Sequence, residues 1–154
     1  MHASTCTQIK NISLVLGGCI VSSLVYASGT FEVSPRTQIW KAISADGQVI
    51  RTGHASLGRA YCPDTHRACR TPTGHFSVIS KQGAACRSTR YPLPNGGAPM
   101  PYCMFFTPLY AVHGSYEVPN YNASHGCIRI TPADARWLYD NFMTIGTGVY
   151  IKPY

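Results

Sequence analysis

The residues with the greatest capacity for chemistry lie between His113 and Arg129. The sequence reads His-Gly-Ser at 113–115 and Ser-His-Gly-Cys-Ile-Arg at 124–129. A thiolate is a strong nucleophile, and it needs a nearby base or cation to form at neutral pH. His113 precedes Cys127 by fourteen positions, which suits a strand end and a returning loop better than one helix face. We therefore predict that Cys127 is a nucleophile, that His113 takes its proton, and that a nearby imidazolium lowers the pKa of the thiol.

Three blocks of the sequence resemble the L,D-transpeptidase catalytic domain family (YkuD-like) of bacterial cell-wall enzymes. The most specific is the His-Gly-Ser…Ser-His-Gly-Cys-Ile-Arg pattern, and the others are Arg-Thr-Pro-Thr-Gly-His-Phe at 70–76 and Met-Pro-Tyr-Cys-Met-Phe-Phe at 100–106. The resemblance runs from about Thr37 to Ile151. It implies a mainly β fold, a sandwich of mixed β-sheets with the cysteine at a cleft. It also implies acyl transfer on peptidoglycan stem peptides through a thioester, with no cofactor and no metal.

The resemblance also implies which residues of this chain form the active site. It implies that the backbone carbonyl of Gly114 orients His113, and that His125 is a second histidine serving the oxyanion or the acceptor amine. A glycine at 126 lets amide N–H groups approach the thiol closely enough to form an oxyanion hole. The predicted substrate-binding residues are Ser124, Gly126, Arg129 and Tyr102.

Each of these substrate contacts has a structural alternative. Ser124 would serve only the turn, Arg129 would be a surface arginine rather than a bidentate fork for a substrate carboxylate, and Tyr102 would be a packing residue.

Two other functions remain open at the sequence level. Water in place of an amine would resolve the same thioester, which gives an L,D-carboxypeptidase or an enzyme that releases a protein from peptidoglycan. A protein of another class would keep the fold only to bind the cell wall. A zinc peptidase built from His113 and His125 is disfavoured, because the sequence lacks a His-Glu-x-x-His motif. If the enzyme prediction holds, carbapenems are expected inhibitors that acylate the thiol.

The N-terminus has the pattern of an export signal. An apolar run from Ile12 to Tyr26 ends in Val-Tyr-Ala at 25–27, which fits signal peptidase cleavage. We predict a signal peptide at 1–27 and a single catalytic domain at 28–154, located in the periplasm or cell wall. Lipoprotein processing at Cys19 is the alternative, but it leaves a shorter apolar core than such signals usually have.

Cysteine number agrees with an oxidising compartment. Removing 1–27 leaves five cysteines, an odd number, and so one thiol without a partner. Proximity in sequence favours the pairs Cys62–Cys69 and Cys86–Cys103, with Cys127 free. Metal binding by Cys62, His66 and Cys69 is the alternative, but their spacing fits no common zinc signature.

Charge also limits the partners. The formal net charge is +7, and loss of 1–27 removes Lys10 and leaves 12 basic and 6 acidic residues. A basic exported protein is attracted to anionic wall polymers or phospholipid headgroups. The basic residues form no stripe and no aromatic-interleaved motif, so nucleic acid is disfavoured. We expect a monomer with no stable membrane anchor.

The elements that must position the site follow from periodicity and turn signals. We predict strands at 37–43 and 48–52 around an Asp46-Gly47 turn, and further strands at 75–80, 104–112 and 148–151. Thr131 and Pro132 are expected to open one helix, with Asp134 completing a capping box. The irregular segment 83–101, which we call the flap, is predicted to lie beside the active site under the Cys86–Cys103 bridge.

Overall fold

A computed structural model describes residues 29–154 as nine strands and one helix. The strands form two mixed sheets, one of five strands and one of four. This confirms the predicted fold class. The predicted signal peptide at 1–27 and the alternative lipidation residue Cys19 lie outside the described residues. Within 29–154, no helix has the length and apolar character needed to cross a membrane.

The five-stranded sheet is built around β1 (Thr30–Ser34). Its order is β3 (Val49–His54), β2 (Ile39–Ile43), β1, β9 (Gly148–Ile151) and β4 (Gly74–Ser77). β1 is antiparallel to β2 and parallel to β9. Alternation along β1 buries Phe31 and Val33 on one face, as expected for a strand with one face in a core.

The four-stranded sheet carries the chemical motif. Its order is β5 (Ser80–Gln82), β6 (Cys103–Phe105), β7 (Ala111–Gly114) and β8 (Ile128–Ile130). β7 and β8 are parallel, with Val112 opposite Ile128 and His113 opposite Arg129. The outer edge of β8 is covered by the segment 55–58, where Ser56 and Arg129 exchange two backbone hydrogen bonds of 2.9 Å. Both ends of the motif loop are therefore fixed by backbone pairing.

The helix α1 (Pro132–Asn141) starts as its capping residues predict. The Thr131 hydroxyl accepts the N–H of Asp134 at 3.1 Å, and Pro132 occupies the first turn. Ala135 and Leu138 are its buried residues. They join a core that contains Trp40, Phe31 and Ile128. The helix lies against β7, on the opposite side of the sheet from the side chains of His113 and Arg129.

Two of the predicted strands each divide into two elements. The run 104–112 is a hairpin of β6 and β7, because a turn at Thr107 interrupts it: the Thr107 hydroxyl accepts the N–H of Tyr110 at 3.0 Å. The run 75–80 divides between β4 and β5, which belong to different sheets. The strand predicted at 37–43 starts at Ile39, and β1 and β8 were not predicted.

Candidate active site

Parallel pairing of β7 and β8 brings the candidate base and nucleophile to neighbouring strands. His113 lies opposite Arg129, and Cys127 precedes β8, beside Ala111. Because side chains two residues apart share a face of a strand, His113, Cys127 and Arg129 all face the same side of the sheet. All three line one cleft. His113 and Cys127, fourteen positions apart in sequence, thus lie diagonally across two neighbouring strands.

His113 is held in one orientation by its own strand. Its Nδ1 lies 2.8 Å from the carbonyl oxygen of Gly114. Because a carbonyl only accepts, Nδ1 carries the proton, and Nε2 of the neutral ring keeps its lone pair. Burial lowers the pKa of His113 to about 4, with the hydrogen bond to Gly114 acting in the opposite direction and the charge of Arg129 adding to the decrease. At neutral pH the ring is therefore an uncharged proton acceptor.

Cys127 is the free cysteine among the described residues, and it is half-buried. Burial raises the pKa of its thiol above the ordinary value, while the backbone of Ala111 and the charge of Arg129 act in the opposite direction. The prediction of a thiol pKa lowered by an imidazolium is therefore wrong for the resting protein, since His113 is neutral. The hydrogen bonds of residues 29–154 do not include one between the two side chains, and such contacts often form only when substrate binds.

The turn from Ser124 to Cys127 depends on a hydroxyl and a glycine. The Ser124 hydroxyl donates to the Cys127 carbonyl at 2.5 Å and accepts the Gly126 N–H at 3.0 Å. Gly126 has φ +123°, and a Cβ there would lie 2.3 Å from the Tyr110 ring. Ser124 lines the cleft, but its hydroxyl is used inside the turn, which is the structural alternative weighed above.

His125 is linked to an acid that sequence reasoning missed. Its Nε2 lies 2.7 Å from Oδ2 of Asp64, and its ring stacks on Tyr91 with centroids 4.1 Å apart. Desolvation opposes ionisation of Asp64, but the hydrogen bond and charge of His125 outweigh it and lower the pKa of that carboxyl. Asp64 is 61 residues from His125, within the Cys62–Cys69 loop, so no spacing rule connects the two residues.

The cleft has a volume of about 450 Å³. The flap forms one wall through residues 87–91 and 98–100, and the loop after β7 contributes Ser115, Tyr116 and Glu117. This confirms the predicted position of the flap. Both predicted disulfides are present, Cys62–Cys69 and Cys86–Cys103, and the second bridges the two ends of the flap.

Arg129 and Tyr102 differ in where the structure places them. Arg129 lines the cleft, with Nη1 4.0 Å from Oε2 of Glu117. Tyr102 does not line it: its ring packs on Tyr139 of α1, with centroids 5.6 Å apart. The prediction that Tyr102 contacts substrate is therefore not supported, and packing is its observed role.

Cys62, Asp64 and His125 bring three potential metal-ligand atoms within 4.8 Å of one another. The sulfur of Cys62 is bonded to Cys69, so it offers no thiolate. The same bond excludes the metal site that the sequence allowed at Cys62, His66 and Cys69. His75, which the sequence did not favour as a catalyst, stacks on Tyr150 in the other sheet, 4.2 Å between centroids.

Comparison with known proteins decides the family. The family model described as the L,D-transpeptidase catalytic domain (YkuD) matches residues 29–151. The chain belongs to this family. The match includes Ser-His-Gly-Cys-Ile-Arg at 124–129, the turn and strand described above, and it confirms the resemblance noted in the sequence.

Several proteins named L,D-transpeptidases resemble this chain in sequence and in fold. L,D-transpeptidase 1 of Mycobacterium tuberculosis is 28% identical over a match that covers 71% of this chain and 45% of the relative. A crystal structure of the L,D-transpeptidase from Xylanimonas cellulosilytica is 32% identical, with a TM-score of 0.69 over 81% of this chain and 60% of that one. A structure of the L,D-transpeptidase LdtMt1 in complex with imipenem is 26% identical, with a TM-score of 0.67 over 81% and 59%. The chain thus spans less than half the length of the curated relative.

Proposed function

We propose that the protein is an L,D-transpeptidase that joins peptidoglycan stem peptides through a thioester on Cys127. The observation that carries this proposal is the arrangement on β7 and β8. A free thiol and a neutral imidazole with its Nδ1 proton bound by Gly114 face the same cleft. Membership of the L,D-transpeptidase catalytic domain family supports the same reaction.

In the first step the thiol of Cys127 attacks the carbonyl carbon of the donor peptide bond, and its proton moves to Nε2 of His113. The bond to the terminal D-alanine then breaks, and its nitrogen takes the proton from Nε2. Because His113 returns to the neutral form, it is able to act again. An amine of a neighbouring stem attacks the thioester and loses a proton to Nε2. As the C–S bond breaks, that proton passes to the Cys127 sulfur, which restores the thiol and the neutral His113.

The developing oxyanion needs N–H donors beside Cys127. The Gly126 N–H already donates to the Ser124 hydroxyl, so we assign the oxyanion contact to the N–H of Cys127 instead. Gly126 remains necessary because its positive φ and missing Cβ let the turn pass the Tyr110 ring. Arg129, at the same face of the sheet, is assigned to a donor carboxylate.

Hydrolysis of the same thioester is the second candidate. It differs from transfer only in whether water or an amine reaches the acyl group. His125 is placed to affect that choice, since it lines the cleft two residues from Cys127 and is held by Asp64. Export, the cleavage at Ala27 and inhibition by carbapenems belong to this proposal. The disulfides are compatible with export, and the imipenem complex of a 26% identical relative supports the inhibitor class.

The test is incubation of the purified protein with defined donor and acceptor stem peptides, followed by mass spectrometry of the products. A cross-linked product supports transfer, a shortened donor alone supports hydrolysis, and neither product with folded protein rejects both. His113→Ala should reduce the rate by about 10²–10⁴-fold. The control His75→Ala, on the opposite sheet, should leave the rate nearly unchanged.

A further inference from the structure

The charge around the cleft is unbalanced. Its lining contains four arginines but a single carboxylate, that of Glu117. Glu117 lies nearest Arg129, which leaves Arg67, Arg87 and Arg90, here called the cationic rim. Within residues 29–154, no carboxylate forms an ion pair with any rim residue.

The ion pairs of residues 29–154 use basic partners other than the rim arginines. Away from the cleft, carboxylates pair with basic side chains: Asp134 with Arg51 at 2.7 Å and Glu32 with Lys152 at 2.8 Å. Other basic side chains of residues 29–154, such as Arg59 and Arg70, also lack a carboxylate partner, but the rim brings three unpaired arginines to one cleft. Like charges placed together without acids repel one another, and a bound anion would relieve that repulsion.

The rim residues sit on anchored segments. Arg90 precedes Tyr91, whose ring stacks on His125. Arg87 follows the Cys86–Cys103 bridge and donates from Nη1 to the Gly97 carbonyl at 2.8 Å. Arg67 lies in the Cys62–Cys69 loop, where its carbonyl accepts the Cys62 N–H at 2.9 Å. The backbone that carries each of these arginines is therefore already fixed before a ligand binds. This reduces the loss of conformational entropy on binding.

We infer that the cationic rim is a specificity site for free carboxylates of the donor stem peptide, beyond the carboxylate assigned to Arg129. The inference rests on the proposed function. A guanidinium matches a carboxylate as a two-point fork, whereas an amide of the same size carries no charge and itself donates hydrogen bonds. The protein should therefore discriminate between a donor with free side carboxylates and the same donor with those carboxylates amidated.

The experiment measures binding without turnover, in the full chain carrying Cys127→Ala. Calorimetry compares a donor tetrapeptide with free carboxylates and its side-chain-amidated analogue. Each exposed ion pair contributes about 2- to 5-fold, so the free form should bind roughly 10-fold or more tightly. Added NaCl should weaken binding of the free form more than binding of the amidated form, which keeps only the carboxylate assigned to Arg129.

The triple variant R67Q/R87Q/R90Q should bind both peptides with the lower affinity, and the exposed control R136Q on α1 should keep the preference. Unchanged binding of the amidated peptide shows that the triple variant is folded. Equal affinities in the parent protein, or a preference that survives the triple variant, would overturn the inference. Turnover of the wild-type protein with either peptide tests the proposed function separately.

Discussion

At the scale of single residues, the pKa of His113 determines which pH range supports the proposed chemistry. Its value of about 4 in the folded protein lies below the ordinary 6.5, and the base must be neutral to accept a proton. We predict that kcat/KM stays constant as pH falls through 6.5 and declines only near pH 4. A pH–rate profile with a stem peptide checks this. A decline centred near 6.5 would mean that His113 titrates as an exposed histidine.

The same shift has a consequence for stability. Because the folded protein resists protonation of His113, the unfolded chain binds more protons between pH 6.5 and 4. The free energy of unfolding therefore falls as pH decreases through that window, by about 3 kcal/mol at most. In His113→Gln, the free energy of unfolding measured by denaturant titration should change less between pH 6.5 and 4. The difference from the wild-type protein gives the contribution of His113 apart from that of the titrating carboxylates.

Asp64 is proposed as a positioning residue for His125. Asp64→Asn removes the charge from the 2.7 Å contact and should lower the rate of acyl transfer by about 3- to 10-fold, since the pair is partly exposed. It should also move the partition between transfer and hydrolysis, which a merely structural role would not do. Asp140→Asn, at an exposed acid paired with Arg136, is the control. Equal effects of the two substitutions would contradict a positioning role.

The sequence allows the thiol, the base and its carbonyl partner to be predicted because they lie on one motif. Asp64 could not be found in this way, because its contact with His125 depends on how a disulfide loop folds across the cleft. The protonation state of the thiol could not be predicted from the sequence either. The residue types indicate an ion pair of Cys127 and His113, whereas burial favours the neutral forms of both side chains.

At the scale of elements, the turn before β8 is the feature with least freedom. Gly126→Ala places a Cβ 2.3 Å from the Tyr110 ring at φ +123°. We predict that the free energy of unfolding, measured by denaturant titration, falls by about 1–3 kcal/mol. Acylation should be lost as well. Gly83→Ala, where a Cβ would have no neighbour within 4 Å, is the matched control. A Gly126→Ala protein as stable as that control would show that the turn adapts.

Local signals predicted elements well where one residue type dictates the backbone. The Thr131 cap and the Asp46-Gly47 hairpin are examples, and both are present. They failed in the apolar run 104–112, where alternation and hydrophobicity gave no sign of the Thr107 turn. β8 was missed because three residues inside a motif carry too little periodicity.

At the scale of the whole molecule, the proposed export signal makes a prediction about the mature chain. Cleavage after Ala27 leaves Ser28 as the first residue. The match to the family model begins at the next residue, 29. N-terminal sequencing of the exported protein should therefore begin Ser-Gly-Thr-Phe. A lipidated Cys19 at the N-terminus, or retention of Met1, would contradict this cleavage site.

The central claim is that Cys127 is the residue acylated by the donor. The most direct measurement is peptide mapping by mass spectrometry after native protein is treated with imipenem, in parallel with its Cys127→Ser variant. We predict one added imipenem per chain, on the peptide that contains Cys127. The variant should carry no adduct, and its four other mature cysteines should remain in two disulfides. An adduct on any other residue, or Cys127 found in a disulfide in active protein, would contradict it.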